Sequence, residues 1–214
     1  MLFDMDGTLV DSEMLWDVAL HELAAEYGAT LSAAGRLAMV GTQMAQTMRI
    51  LHDDIGQPHR DPAPGAAWLD ARIAELFRTD LRWRPGASAL LTAVRAAGIP
   101  TALVTSSGRG LVEVALDTLG RDTFDVVVCG DEVDSPKPHP EPYLTAARLL
   151  GVPIGRCVAI EDSPTGVASA LAAGAAVLAV PAHVPLGPID GVHQVTDLTA
   201  ADLTLLAALL TAAR

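Results

Sequence analysis

The sequence predicts an α/β fold, a doubly wound parallel sheet carrying an inserted all-helical cap. Three observations lead there. From Pro85 onward, helical and strand-like stretches alternate, and most of the helices are closed by a glycine, the rhythm of parallel strands joined by crossover helices. Between residues 13 and 82 helical spacing prevails and no strand pattern occurs. The chain opens on the apolar stub Met1-Leu2-Phe3 and runs directly into Asp4-Met5-Asp6-Gly7-Thr8, a strand followed by an acidic turn.

The elements follow in order. Residues 1–12 and 83–214 are expected to form the core, and residues 13–82 the cap. Leu15, Leu20, Leu23 and Ala24 recur at helical spacing over residues 13–28, with Gly28 as the stop. Gly56, Pro58, Pro62, Pro64 and Gly65 mark residues 56–66 as a loop, and helical spacing resumes from Trp68 to Phe77. In the core, helix 86–97 leads to strand 101–105, helix 109–119 to strand 125–129, and helix 140–150 to strand 157–160. Helix 164–173 leads to strand 176–180, and an Ala/Leu-rich helix is expected near 199–213. Only three residues precede Asp4, so part of the first strand is expected upstream of this numbering.

Composition excludes several classes. The formal charge is −12 over 214 residues, whereas nucleic-acid binding asks for a basic face. The two cysteines, Cys129 and Cys157, border apolar strand-like runs and read as reduced core residues. No apolar stretch approaches a membrane span and no charged-then-apolar leader opens the chain, so a soluble cytoplasmic protein without membrane contact is expected.

Residues two apart in an extended segment point the same way, so Asp4 and Asp6 can face one pocket while Gly7 lets the chain bend beside them. Two such acids repel unless a cation separates them. Mg²⁺, which prefers oxygen ligands and is commonly held by carboxylates together with a substrate phosphate, suits the pair. Taken alone, the pentapeptide also reads as a solvated turn. Three more segments follow strand-like runs: Thr105-Ser106-Ser107, Ser135-Pro136-Lys137-Pro138 and Glu161-Asp162-Ser163. Ligands of open parallel sheets bind beyond the carboxyl ends of the strands, where all of these segments lie. Thr105 is placed to donate its hydroxyl to a phosphoryl oxygen, with the N–H groups of Ser106 and Ser107 as an anion cradle; Ser107 reads equally as a helix cap. Prolines on both sides frame Lys137, and Ser163-Pro164 has the residue types of an N-cap and first helical position. Asp131 is open between holding Lys137 and capping a turn. His139, Trp16, Met44 and Met48 read first as loop or packing residues.

The four-part set resembles the haloacid dehalogenase-like (HAD) phosphotransferase superfamily, in particular the branch with a helical cap after the first motif. That branch includes small-phosphate-ester phosphatases and β-phosphoglucomutase, and the resemblance spans nearly the whole chain. It implies a Rossmann-like core and a small phosphorylated metabolite as substrate; a monomer or weak homo-oligomer is expected. It makes Asp4 the nucleophile that forms an aspartyl-phosphate, and Asp6 the acid and then the base. Gly7, Thr105, Ser106, Ser107 and Lys137 would surround the phosphoryl group, with Lys137 offsetting charge on Asp4. Asp162 would bind Mg²⁺ alongside the Asp4 carboxylate and the Asp6 carbonyl, and Glu161 would act through water or by orienting the direct ligands.

Within that superfamily, hydrolytic dehalogenases need no metal and typically lack the second aspartate, so Asp6, Glu161 and Asp162 argue against them. A binding protein without chemistry would not be expected to keep the full set of acids and the lysine. Mutases of this branch carry a histidine shortly after Asp11-Ser12 and an arginine in the cap; the aligned places here hold Trp16 and, approximately, Gln43. A phosphatase for small monophosphates, sugar phosphates among them, is therefore expected ahead of a sugar phosphomutase.

Overall fold

Six short strands form one parallel sheet in the order β3-β2-β1-β4-β5-β6. The computed structural model describes residues 1–182 and 184–212. The strands are β1 (Leu2–Phe3), β2 (Ala102–Val104), β3 (Val126–Val128), β4 (Val158–Glu161), β5 (Ala176–Ala179) and β6 (Val192–Gln194). Strands β1, β2, β4 and β5 are buried along their whole length, as expected where helices cover both faces of a parallel sheet.

Alternation along each strand assigns the faces. Phe3, Leu103, Ile160 and Leu178 point into a core shared with α5 (Ala87–Ala96), α6 (Arg109–Leu119) and α9 (Leu203–Ala212). Leu2, Ala102, Val104, Ala159 and Val177 point to the other side, against α7 (Glu141–Leu149) and α8 (Pro164–Ala173). Alanines dominate that second layer, so its helices can pack close to the sheet.

Between β1 and α5 lie α1 (Glu13–Glu26), α2 (Ala33–Ala38), α3 (Met44–Asp54) and α4 (Pro62–Asp80). Leu20, Leu23, Met48, Leu51, Leu69, Ile73 and Phe77 are nearly or fully buried among them. The passages leading out to these helices and back are bonded to each other: Asp11 N–H donates to the Arg82 carbonyl at 2.8 Å and Arg84 N–H to the Leu9 carbonyl at 2.9 Å, flanking an antiparallel bridge from Val10 to Trp83.

The observed elements differ from the expected ones in four places. The prolines read as a loop over 56–66 partly open α4 instead: Pro62 and Pro64 fall in its first turn, where backbone N–H groups have no intrahelical partner, and Asp61 caps it through Ala63 N–H at 3.0 Å. Glu161 is the last residue of β4 and does not follow it. Strand β6 has no counterpart in the expectation, because it is an edge strand of three residues with His193 exposed and little apolar signal. The final helix begins at Leu203, after a short turn of 3-10 helix over Leu198–Ala200 that Asp197 caps; residue 213 lies outside the described residues.

Candidate active site

The acidic turn leaves the sheet with defined register. Asp4 N–H donates to the Ile160 carbonyl at 3.0 Å, continuing the β1–β4 pairing, and Gly7 N–H closes the turn on the Val10 carbonyl at 3.0 Å. Met5 is buried in the core, so Asp4 and Asp6 project the other way, into a cavity at the carboxyl ends of β1, β2 and β4. Thr105, Ser106, Ser107, Lys137 and Asp162 line the same cavity.

Lys137 reaches this point from the loop before α7 and uses all three ammonium protons. Nζ donates to Asp4 Oδ1 at 2.8 Å, to Glu161 Oε1 at 2.6 Å and to the Val104 carbonyl at 2.9 Å. Burial by itself disfavours the ammonium, but the Asp4 and Glu161 carboxylates outweigh it and hold the lysine above its ordinary pKa. The loop is tied down from α7, where the Glu141 carboxylate accepts from Asp134 and Ser135 N–H at 3.0 and 2.9 Å. Tyr143, also on α7 and fully buried, donates to Glu161 Oε1 at 2.5 Å.

Asp6 collects four side-chain donors. Ser12 Oγ and Trp16 Nε1 reach Oδ1 at 2.7 and 3.3 Å; Ser107 Oγ and Thr105 Oγ1 reach Oδ2 at 2.7 and 3.4 Å. Burial and then the neighbouring Asp4 charge push its pKa up to about 6, against the pull of these donors. A carboxyl that holds its proton near neutral pH can act as a general acid.

Two carboxylates, Asp4 and Glu161, thus share one ammonium, with Asp6 and Asp162 in the same cavity. Burial and the charge of Asp4 push Glu161 up to about 7, and burial with the charges of Asp4, Glu161 and Glu13 drives Asp162 well above the ordinary carboxylate range. Asp4, Glu161 and Asp162 are all buried, and each offers an oxygen within 4.8 Å of the others. Such unbalanced negative charge suits a divalent cation bound by oxygen. The donors are unevenly spent: among the described residues Glu161 accepts from Lys137, Tyr143 and Ser163, whereas Asp162 accepts from Thr8 alone, at 3.2 Å. Asp4 and Asp162 therefore keep acceptor capacity for a cation, with Glu161 set behind them. Two glycines make this crowding possible. At Gly7, with φ +74°, a Cβ would lie 2.2 Å from Asp162 Oδ2; at Gly166 it would lie 2.0 Å from the Glu161 carboxylate oxygens.

Other expected residues fall as follows. Thr105 Oγ1 also accepts from Ser107 N–H at 3.0 Å, so one of the two N–H groups expected to cradle an anion is engaged by its neighbour. Ser107 does not cap α6; Gly108 is the N-cap residue and Asp131 accepts from Arg109 N–H at 3.0 and 3.2 Å, which also settles Asp131 as a helix cap. Ser163 caps α8 through Gly166 N–H at 3.1 Å. His139 is exposed and offers its carbonyl to Ser169 Oγ at 2.6 Å.

The helices before α5 cover the cavity. Ser106 Oγ donates to the Gly41 carbonyl at 3.3 Å, and Gln43 Nε2 donates to the Gly130 carbonyl. Arg36, on α2, brings a cation to the cavity and lines it together with Glu13 and Trp16 of α1. Sequence reasoning missed Ser12, Glu13, Arg36 and Tyr143 as site residues. Tyr143 alone carried a signal, a hydroxyl on the apolar face of α7.

Fold and site define a phosphoryl-transfer type of hydrolase, and comparison agrees. The model of the haloacid dehalogenase-like hydrolase family matches residues 1–174, and the chain belongs to that family. It is 37% identical over 203 residues to hexitol phosphatase A of Escherichia coli (strain K12), covering 92% of each chain. Among solved structures it resembles CbbY from Rhodobacter sphaeroides in complex with phosphate, at 28% identity, TM-score 0.82, and 96% and 97% coverage of this chain and that one. It shares the fold of β-phosphoglucomutase from Clostridium difficile, at 19% identity, TM-score 0.86, and 99% and 96% coverage.

Proposed function

We propose that this chain is a Mg²⁺-dependent phosphatase that hydrolyses small phosphate monoesters, sugar phosphates among them, through an aspartyl-phosphate on Asp4. The observation that carries the reading is the pairing of two unlike aspartates in one cavity: Asp4 is bonded to the Lys137 ammonium, while Asp6 is pushed up to about 6 and held by four donors. A carboxylate paired with an ammonium suits the nucleophile, and a neighbouring carboxyl that keeps its proton near neutral pH suits the acid.

An Asp4 carboxylate oxygen attacks phosphorus, the bond from phosphorus to the leaving oxygen breaks, and that oxygen takes the proton of Asp6. The Asp6 carboxylate then takes a proton from water as the water oxygen attacks the aspartyl-phosphate, releasing inorganic phosphate and restoring Asp4. Lys137 offsets charge at Asp4 through both steps, and Thr105 and Ser107 hold Asp6 in place. The Asp4 and Asp162 carboxylates and the Asp6 carbonyl would hold Mg²⁺, which supplies charge neutralisation at the phosphoryl oxygens.

Residues 13–82 act in this reading as a cap over a core of residues 1–12 and 83–214, moving about the connections near residues 11–14 and 80–86, with the Gly41 and Gln43 contacts made in the closed state. Hydrolysis is preferred to phosphoryl shuffling because Trp16 donates to Asp6 and Gln43 to the core backbone, in the places where the mutase branch has a histidine and an arginine. The free, buried Cys129 and Cys157 suit a reducing cytoplasm. The test is release of phosphate from an aryl phosphate with Mg²⁺ and with excess chelator. Turnover with the metal and its loss in chelator are expected; equal rates in both would overturn the metal assignment, and none in either the phosphatase reading.

A further inference from the structure

The cavity that holds Asp4 is walled in part by a buried ion pair that the chemistry above does not use. Arg36 Nη2 donates to Glu13 Oε2 at 2.7 Å and to the Glu13 carbonyl at 3.0 Å, and the two side chains are only 13% and 7% exposed. Arg36 Nε lies 3.2 Å from Asp17 Oδ1 but is buried without a hydrogen-bond partner among the described residues. Both members line the cavity that holds Asp4 and Asp6. We propose that Glu13 and Arg36 form the leaving-group filter of this site, admitting monoesters of small, neutral, polyhydroxylated compounds and turning away those with a second anionic group. The inference rests on the phosphatase reading and names its substrate class.

Charge is the first argument. The cations lining the cavity are Arg36 and Lys137, against the carboxyls of Asp4, Asp6, Glu13 and Asp162. Lys137 is committed to Asp4 and Glu161, and the charge of Arg36 is already met by Glu13 with Asp17 close by. A distal phosphate or carboxylate would need an uncompensated cation and would instead meet the buried Glu13 carboxylate, in a setting where like charges cost several kcal/mol.

Hydrogen-bonding capacity is the second. Among the described residues neither Glu13 Oε1 nor Arg36 Nη1 has a partner, which leaves one acceptor and one donor on the pair. A hydroxyl can donate to one and accept from the other, so neighbouring hydroxyls on a carbon chain match the pair without disturbing its charge balance. Beside the hydroxyls of Thr42 and Thr47, Trp16, Leu20, Met39 and Val40 give this wall apolar surface for C–H groups. A site built to bond hydroxyls discriminates strongly, because a substrate lacking them leaves buried polar groups unpaired.

The test compares phosphate release from a hexitol 6-phosphate, a hexose 1,6-bisphosphate, phosphoglycolate and an aryl phosphate. The wild-type enzyme should prefer the hexitol phosphate over the bisphosphate and phosphoglycolate by at least about tenfold in kcat/KM, the size of one charge-assisted contact. Glu13→Gln, which keeps volume but frees the arginine charge, should raise the ratio of bisphosphate to hexitol phosphate by about tenfold. Arg36→Lys keeps the charge and loses the planar fork, so it should lower hexitol phosphate turnover without raising that ratio. A wild-type preference for the bisphosphate or phosphoglycolate would overturn the filter, as would Glu13→Gln variants that lose activity by one factor on every ester. Should the wild type release phosphate from none of them, the phosphatase reading fails separately. Calorimetric binding of the hexitol phosphate and the bisphosphate to the wild-type protein with Mg²⁺ then decides: tighter hexitol phosphate binding supports the filter and the reverse order refutes it.

Discussion

The Tyr143 hydroxyl donates to Glu161 Oε1 at 2.5 Å, onto the same oxygen that accepts Lys137 Nζ at 2.6 Å. One carboxylate oxygen thus joins α7 to the lysine loop and fixes the direction in which the ammonium meets Asp4. Tyr143→Phe keeps the packed ring and removes only the donor. It should cost about 1–3 kcal/mol in urea unfolding, the range for leaving a buried polar group short of a partner. The rate of phosphate release should fall by up to about tenfold, since Lys137 loses part of its frame. A variant as stable and as fast as its parent would show that Glu161 needs no second donor.

Asp4→Asn removes the proposed nucleophile while keeping its volume and leaving an oxygen for Lys137. Turnover should fall by at least about 10³-fold with the thermal midpoint within a few degrees of the parent. Asp6→Asn should be nearly as severe on an ester with a poor leaving group. Product from Asp4→Asn at the parent's rate, with reversion to aspartate excluded by mass spectrometry, would remove Asp4 from the nucleophile's role.

The acid cluster sets a pH dependence of stability opposite to that of an ordinary salt-bridged carboxylate. Asp6 and Glu161 have folded-state values of about 6 and about 7, against ordinary values of 3.8 and 4.5. The folded protein therefore binds protons more tightly than the unfolded chain. The resulting stability is complete below the unfolded values and is lost as pH rises through the folded ones. In chelator the thermal midpoint should climb as pH is lowered from about 7.5 to about 5, and Mg²⁺ should flatten the slope by raising the neutral-pH end. Asp6→Asn should flatten it in part. The exposed carboxylates that are held low by their donors, Asp54 and Asp125 among them, act at more acidic pH than this window. A midpoint that drops steadily over the same range in chelator would contradict the raised values.

Gly7→Ala separates metal binding from folding. The position needs φ +74°, which costs a non-glycine residue about 1–3 kcal/mol, and the added methyl would meet Asp162 Oδ2 at 2.2 Å. Because Asp162 must move, the Mg²⁺ concentration for half-maximal activity should rise by about tenfold or more. An unchanged Mg²⁺ dependence would mean that Asp162 is not a direct ligand.

Much of this was legible in the chain itself, for reasons that differ by element. The buried parallel strands announce themselves as continuous apolar runs, and Asp4, Asp6 and Asp162 stand just beyond such runs, so topology brings them to one cavity, which Lys137 joins from the proline-framed loop before α7. Strand β6 was invisible because an edge strand needs only backbone pairing, and Val192–Gln194 has little apolar content. Pro62 and Pro64 read as breakers because the same residue ends one helix and begins another; only the Asp61 cap tells which. Ser12, Glu13 and Arg36 stayed hidden for a geometric reason. Their partners lie on other elements, Asp6 for Ser12 and α2 for Glu13, and no local spacing reports a contact made across helices.

The pairing of Val10 with Trp83 makes the two chain passages between the sheet and α1–α4 a single ribbon, with ends tied at 2.8 and 2.9 Å. To the sheet, everything from residue 12 to residue 81 is therefore one long hairpin loop whose mouth is already closed. The entropy of closing a loop grows only with the logarithm of its length. Exchanging these helices for a shorter or longer set would thus cost the sheet little in chain entropy, provided the donors Ser12 and Trp16 to Asp6 are kept. The architecture is in effect a socket: the sheet and its acidic turn below the ribbon, and above it a helical insert that returns Ser12 and Trp16 to Asp6.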